Sequence, residues 1–332
     1  MHPRHGIMNI DVLSFERLAH RVFSEVGGEH RKILEDTGKS LVLRKLAEEK
    51  KDELTLLGGS LRKLGYISEV KSLLSEFVQY RIEPEDLTQI MEQNKSNPQL
   101  YFKLKDMKVI YESFRQYLKD TYLTAEELLK ALEDTVEQSR SVRNSVIVLD
   151  GYHGFTPIQL GLIGRLLTLT DELYVTMTLD HREEPFQMEA EHQLFYATKK
   201  TIQDLKKVAE QTGVEIRKPI MLGKDKIWRY KDAPALRFLE EHIYRHSRRF
   251  WNEETDAVTL LAARTPRSEV ECISREILKL VRDEKFRYRE MAVVTGDLDT
   301  YGPLFEQTFA RLGIPEFMDA KRDVLKNPFV EF

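Results

Sequence analysis

A lone carboxylate at the end of an apolar run is the strongest chemical feature of this 332-residue sequence. Val146-Ile-Val-Leu149 is followed directly by Asp150, then by Gly151-Tyr152-His153-Gly154-Phe155-Thr156-Pro157. A buried parallel strand delivers its last side chain to the carboxyl edge of a sheet, where α/β proteins bind ligands. Asp150 there can hold a cation or simply cap the following turn, and both readings stand. Tyr152, on a glycine-flanked turn, offers a ring on which a flat ligand can stack. His153 could pair with Asp150 on a metal, but no third ligand lies within sequence reach, so it reads as a loop histidine. Asp180-His181-Arg-Glu-Glu184 also carries hard ligands and reads as a charged, solvated loop before Pro185.

Phosphoryl transfer needs a lysine-bearing phosphate cradle, a magnesium carboxylate, a residue that orients water, and cations on the developing charge. Nucleotide-driven motors place an Asp at the position of Asp150 and a Glu immediately after it. Here the second position is Gly151, which cannot orient water. Gly58-Gly59-Ser60 lacks the lysine and the context of a phosphate loop, and Gly296 follows the run Ala292-Val-Val-Thr295 where a phosphate-contacting arginine would stand. The expectation is a motor-like lobe that does not hydrolyse ATP, with aromatic side chains where the hydrolytic carboxylate would be.

A second group sits near the start of the chain. Phe15, Arg17 and His20 fall on the first turns of a helix that Ser14 can cap, after the strand-like stretch 9–14. A spacing of three puts Arg17 and His20 on neighbouring parts of one helix face. Aromatic rings and arginine planes hold unpaired bases by stacking, each base contributing on the order of 1–3 kcal/mol. Phe15 also reads as core, since a phenylalanine at a helix start commonly packs inward. The basic clusters Arg140–Arg143, Lys199-Lys200, Lys206-Lys207 and Arg245–Arg249 each read as solvated helix faces. No Ser–His–Asp or Cys–His arrangement can be nominated. Cys272, the single cysteine, reads as buried and excludes an internal disulfide or a multi-cysteine metal site within this chain.

The elements that must position these groups follow from periodicity. Helix 15–25 stops at Gly27-Gly28. Residues 37–138 read as helical throughout, with no strand, along the stripes Leu41/Leu43/Leu46/Ala47, Val70/Leu73/Leu74/Phe77 and Met107/Ile110/Tyr111/Phe114/Tyr117/Leu118. Tyr111, Phe114 and Tyr117 read as core. Helix starts are read at Glu83-Pro84 and at Thr124, where Glu127 completes a capping box. A strand at 146–150, a helix opening at Thr156-Pro157 and a strand at 173–179 form one βαβ unit. Helix returns over 186–250. Strand 257–262, helix 267–283, strand 291–295, a helix through Leu312 and an edge segment at 314–318 suggest a second lobe. The fold class read is therefore α/β, with parallel-sheet lobes interrupted by a large all-α insertion. Its parts are 1–36 (start of a first lobe), 37–140 (helical insertion), 141–185 (rest of the first lobe), 186–255 (helical insertion or linker) and 256–332 (start of a second lobe).

Net charge is −4, which disfavours a wholly basic coat for duplex DNA but allows a local groove. No apolar run approaches the roughly 20 residues that span a bilayer, and the first 20 residues do not form a secretory signal. No membrane association is expected, and cytoplasm is the expected compartment.

Three motifs in order carry a resemblance: Ser14-Phe-Glu-Arg17-Leu-Ala-His20-Arg21, Leu149-Asp-Gly-Tyr152 with Phe155-Thr-Pro157, and Gly313-Ile-Pro through Phe317-Met-Asp to Asn327-Pro328-Phe-Val-Glu-Phe332. Together they resemble the AddB subunit of bacterial AddAB, an ATP-dependent helicase–nuclease that processes double-strand DNA breaks. The resemblance implies superfamily 1 helicase-like, RecA-like lobes whose motor is inactive and which scan an unwound strand for the Chi sequence in homologous recombination. It implies single-stranded DNA and an AddA-like catalytic subunit as partners. It further implies ATP and magnesium, and a cysteine-held iron–sulfur cluster with a nuclease domain, in the complete subunit. The sequence then reads as a piece of that subunit. Phe15, Arg17, His20 and Tyr152 fall where the family reads Chi, with His20 standing where a tryptophan is expected, and Asp150 becomes a vestigial nucleotide or magnesium ligand. Two other readings remain: a working helicase whose phosphate loop lies outside this sequence, and a module whose helical block 37–138 only docks on a partner.

Overall fold

The computed structural model describes residues 10–27, 31–59, 64–119, 121–222, 228–245 and 248–319. The chain divides into two compact units, Met1–Lys226 and Ile227–Phe332.

In the first unit, α1 spans Phe15–Val26. Ser14 caps it, its hydroxyl accepting the Arg17 N–H at 3.2 Å, and Gly27 ends it at φ 74°. The chain then forms β1 (Lys32–Ile33) and four helices, α2 (Asp36–Glu49), α3 (Leu64–Gln79), α4 (Pro84–Gln93) and α5 (Pro98–Leu118). The apolar stripes of α2 to α5 close one core around Leu43, Ile67, Leu74, Leu87, Met107, Ile110 and Tyr111. Phe114 belongs to that core as expected, whereas Tyr117 is 37% exposed and stacks on Tyr122.

One correction falls inside this block. Tyr122–Leu123 is a strand, β2, and pairs in parallel with β1. Two residues are too few for alternation to show in sequence, and the ladder exists because the chain's exit from the block runs beside its entry.

A second core is built from α1, α6 (Ala125–Thr135), α7 (Pro157–Leu169) and the sheet of β3 (Val146–Leu149) with β4 (Glu172–Val175). The capping box Thr124–Glu127 opens α6, and Thr156-Pro157 opens α7, as read. Ala19, Val22, Leu132, Leu162 and Leu166 are fully excluded from water, and each large aliphatic contributes about 1.5–3 kcal/mol. The β3–β4 pairing is parallel, Val146 opposite Glu172 through Leu149 opposite Val175. Val146 and Val148 face away from this core and stay exposed.

Three further strand expectations change. Residues 10–14 run without a ladder, and Asn9 lies outside the described residues. The strand expected through Leu179 ends at Val175, after a last rung from the Thr176 N–H to the Leu149 carbonyl at 2.9 Å, because Gly151 turns β3 away in a left-handed conformation. In the second unit, 257–262 and 291–295 have no ladder partner, and Leu260 and Val294 are exposed. The helix expected over 186–250 is two helices, α8 (Tyr196–Thr212) and α9 (Pro234–His242), with an irregular segment before α8. The second unit's own core joins α10 (Pro266–Asp283) and α11 (Leu298–Leu312) through Val270, Ile277, Phe305, Phe309 and Ile314. Cys272, on α10, is half-buried rather than buried.

The carboxylate of Glu25 ties α1 to the approach of β3. It accepts from the Ser139 and Ser141 hydroxyls, both at 2.7 Å, and from the Arg140 N–H at 2.5 Å. Those bonds, the Ser141 hydroxyl first, hold its pKa down at about 2. The stabilisation is therefore complete above about pH 4.5 and is lost as the pH falls toward 2. Glu25→Gln should melt below wild type at neutral pH, the gap closing as both are acidified. Parallel melting curves across that range would contradict it.

Candidate functional site

The β3–α7 turn and the start of α1 meet through aromatic rings. Tyr152 lies 5.7 Å from Phe15, centroid to centroid, with the planes tilted by 53°. On the other side of the turn, Tyr152 stacks on Phe155 at 4.8 Å and 26°. All three rings are half-buried, and burial pushes the Tyr152 phenol pKa up. Phe15 thus does two things at once, packing on the second core and touching Tyr152. Arg17 and His20 are exposed on the solvent side of α1, opposite Ala19, Val22 and Phe23. The Arg17 guanidinium bonds back to the Val12 carbonyl at 3.5 Å.

Asp150 ends β3 in a local lock. The Thr176 hydroxyl donates to one Asp150 carboxylate oxygen and accepts the Gly151 N–H at 3.0 Å. A single threonine from the end of β4 therefore fixes the first two residues of the turn. From the far side, the Thr201 hydroxyl of α8 donates to the His153 carbonyl at 3.1 Å. Neither threonine is marked by sequence spacing, because each partner is 26 or 48 residues away. Phe155 could have been found from the Tyr152-x-x-Phe155 spacing just ahead of the helix cap.

The donor set does not fit nucleotide-bound magnesium. One carboxylate stands alone, with one oxygen occupied by Thr176, and no second carboxylate follows it. Among the described residues no group of three His, Cys, Asp or Glu side chains could hold a metal ion. An iron–sulfur cluster does not fit this chain either, since Cys272 is its single cysteine.

Gly151 adopts φ 75°, with open space where a Cβ would sit. A side chain there is costly through the backbone, by about 1–2 kcal/mol, and not through crowding. Gly151→Glu is expected to lower stability by about that amount, as Gly151→Ala does, without producing ATP hydrolysis. Phosphate release by the glutamate variant above the alanine variant would overturn this.

The basic clusters resolve differently. Lys199 is not a solvated face: it is 1% exposed and bonds Glu183 at 2.7 Å and Glu189 at 2.6 Å. Lys200 is exposed. Lys206 lies near Glu210 and over the Phe186 ring, and Lys207 near Asp204. Arg143 donates to the Glu137 carbonyl at 2.9 Å, and the exposed Arg140 gives its backbone N–H to Glu25. Arg248 and Arg249 are exposed, and His246 lies outside the described residues. Asp180 is bridged by Arg182 and approached by His181, which settles that stretch as an ion-paired loop.

The AddB N-terminal family profile matches residues 1–240 of this chain. The chain belongs to the AddB N-terminal family. It is 39% identical, over its full length, to an AddB-type ATP-dependent helicase/deoxyribonuclease polypeptide of Lachnoclostridium phytofermentans, covering 29% of that protein. A protein of the same description from Caldanaerobacter subterraneus subsp. tengcongensis is 35% identical over 98% of the chain and 28% of its own length. The chain thus spans less than a third of these AddB-family relatives. Among the described residues no helix is long and apolar enough to cross a membrane. For an AddB-family chain the described fold is mixed and mostly helical, with two small parallel sheets.

Proposed function

We propose that this chain is a non-catalytic, helicase-like region of an AddB-type subunit. It holds single-stranded DNA for a double-strand-break-processing helicase–nuclease and contributes to Chi recognition in homologous recombination. Its partners in this reading are the unwound strand and an AddA-like subunit, the second in keeping with the relatives' naming as one subunit of a helicase/deoxyribonuclease. The observation that carries the reading is the meeting of Phe15 with Tyr152 at 5.7 Å, with Arg17 and His20 exposed on the same short helix. Rings supply base stacking and arginine supplies either stacking or phosphate contact. The alternative, a working motor, is disfavoured by Gly151 and by the Thr176 lock on Asp150.

The test is fluorescence anisotropy of labelled single strands, with and without a Chi-like sequence, at two salt concentrations. Binding should be salt-sensitive. Tyr152→Ala should weaken it about tenfold, in line with one lost stacked base, and Arg17→Ala should weaken it and flatten its salt dependence. Both variants should keep their helical content. Binding that neither variant alters would remove the proposed surface, and the absence of binding at low salt would favour a docking role for the α2–α5 block.

A further inference from the structure

Tyr152 is held by its neighbours and not by its own backbone. Gly151 and Gly154 flank the Tyr152-His153 pair. A Cβ at Gly151 would meet nothing within 4 Å, and one at Gly154 would meet a single atom, the Thr201 hydroxyl oxygen, at 3.8 Å. Side-chain restraint on the phenol ring must therefore come from the two phenylalanines. They differ in kind. Phe15 meets the ring tilted by 53° at 5.7 Å, whereas Phe155 lies nearly parallel to it, 26° off at 4.8 Å. Offset stacking at this spacing fixes the plane of a ring, while a tilted neighbour mainly limits its travel.

Phe155 is itself well anchored. It immediately precedes Thr156, whose N–H donates to the Gln159 side chain at 2.9 Å, and α7 is buried from its second residue, Ile158. Thr201 on the His153 carbonyl and Thr176 on the Gly151 N–H hold the chain between the two rings. Phe155 thus projects from a fixed point beside a turn that two glycines leave otherwise free.

We propose that Phe155 is the positioning residue for Tyr152: by stacking on it, Phe155 holds the phenol ring in the plane required for contact with a base of single-stranded DNA. This rests on the strand-binding reading above. Phe155 acts through Tyr152 and need not touch the strand. Its contribution is the ordering that Tyr152 does not have to undergo on binding, equivalent to about two- to tenfold in affinity for one immobilised side chain.

The test uses a fluorescein-labelled single strand of about 15 nucleotides, within the usual footprint of single-strand grooves. It is titrated into the wild-type chain and into Phe155→Leu, Phe155→Tyr, Tyr152→Ala and the Tyr152→Ala/Phe155→Leu double variant. Phe155→Leu should weaken binding about two- to tenfold, Phe155→Tyr should restore it, and Phe155→Leu should have no further effect once Tyr152 is alanine. A loss from Phe155→Leu that persists in the Tyr152→Ala background overturns positioning and leaves strand binding standing. A Tyr152→Ala variant that binds like wild type overturns the strand-binding reading itself. A readout without DNA separates the two: fluorotyrosine NMR, with the Tyr152 signal assigned by Tyr152→Phe. The Tyr152 signal should move in Phe155→Leu toward that of an unstacked tyrosine and return in Phe155→Tyr. An unmoved signal means that Phe155 does not hold the ring.

Discussion

Asp106→Ala is expected to lower the unfolding free energy of the chain by about 2–4 kcal/mol. Asp106 is fully buried in α5, and its carboxylate accepts three consecutive backbone N–H groups: Thr55 at 2.8 Å, Leu56 at 2.6 Å and Leu57 at 2.8 Å. Truncation leaves those donors without the acceptor around which the 55–57 segment is wrapped. Thr55 and Leu56 are exposed, so water can take over part of their loss. The Leu57 N–H lies in the buried part of that segment, and Leu57 itself belongs to the α2–α5 core. Each buried orphan costs about 1–3 kcal/mol, and the exposed pair a fraction of that. Thermal unfolding followed by circular dichroism should show a fall of roughly 5–15 °C for a unit of this size. A fall of under about 2 °C would mean that the segment rehydrates freely.

Lys199→Met should cost about 3 kcal/mol, through charge and not through volume. The methionine keeps most of the aliphatic stem but leaves Glu183 and Glu189 facing a space that held one shared ammonium. In the native chain, burial pulls the Lys199 pKa down, but the two carboxylates outweigh it and hold it above the ordinary value. The triad is therefore complete at neutral pH and weakens only in strongly alkaline solution. Without the cation, the carboxylates raise each other's pKa, so the deficit should shrink as the pH is lowered toward about 5. Equal deficits at neutral and acid pH would show lost packing instead. The effect reaches the aromatic site because α8 also carries Thr201, which holds the His153 carbonyl, and Gln203, which binds the Phe186 carbonyl at 2.6 Å.

What is legible in the sequence is local. Ser14, Thr124, Thr156 and Thr265 mark helix starts because a cap and its partner lie within three residues of each other. The run 146–149 shows as a strand because its pattern is self-contained. Residues 257–262 and 291–295 have an equally good β composition but no ladder, since pairing belongs to two segments and composition to one. Lys199 reads as half of a solvated pair because its acceptors lie 10 and 16 residues away in irregular chain. At the site, the meeting of Phe15 and Tyr152 follows from placing both at one sheet edge. The lock on Asp150 does not, because Thr176 lies at the end of another strand.

The β1–β2 ladder places the point where the chain enters the α2–α5 block beside the point where it leaves, Lys32 opposite Tyr122 and Ile33 opposite Leu123. The intervening stretch from α2 to α5 is thereby looped out from a single doorway, and it carries a core of its own. Once the doorway is closed, lengthening or shortening the loop changes its closure entropy by only about 0.6 kcal/mol per doubling. The α2–α5 block is consequently a place where lineages can gain, lose or reshape helices, to suit whatever it meets, without moving the three rings.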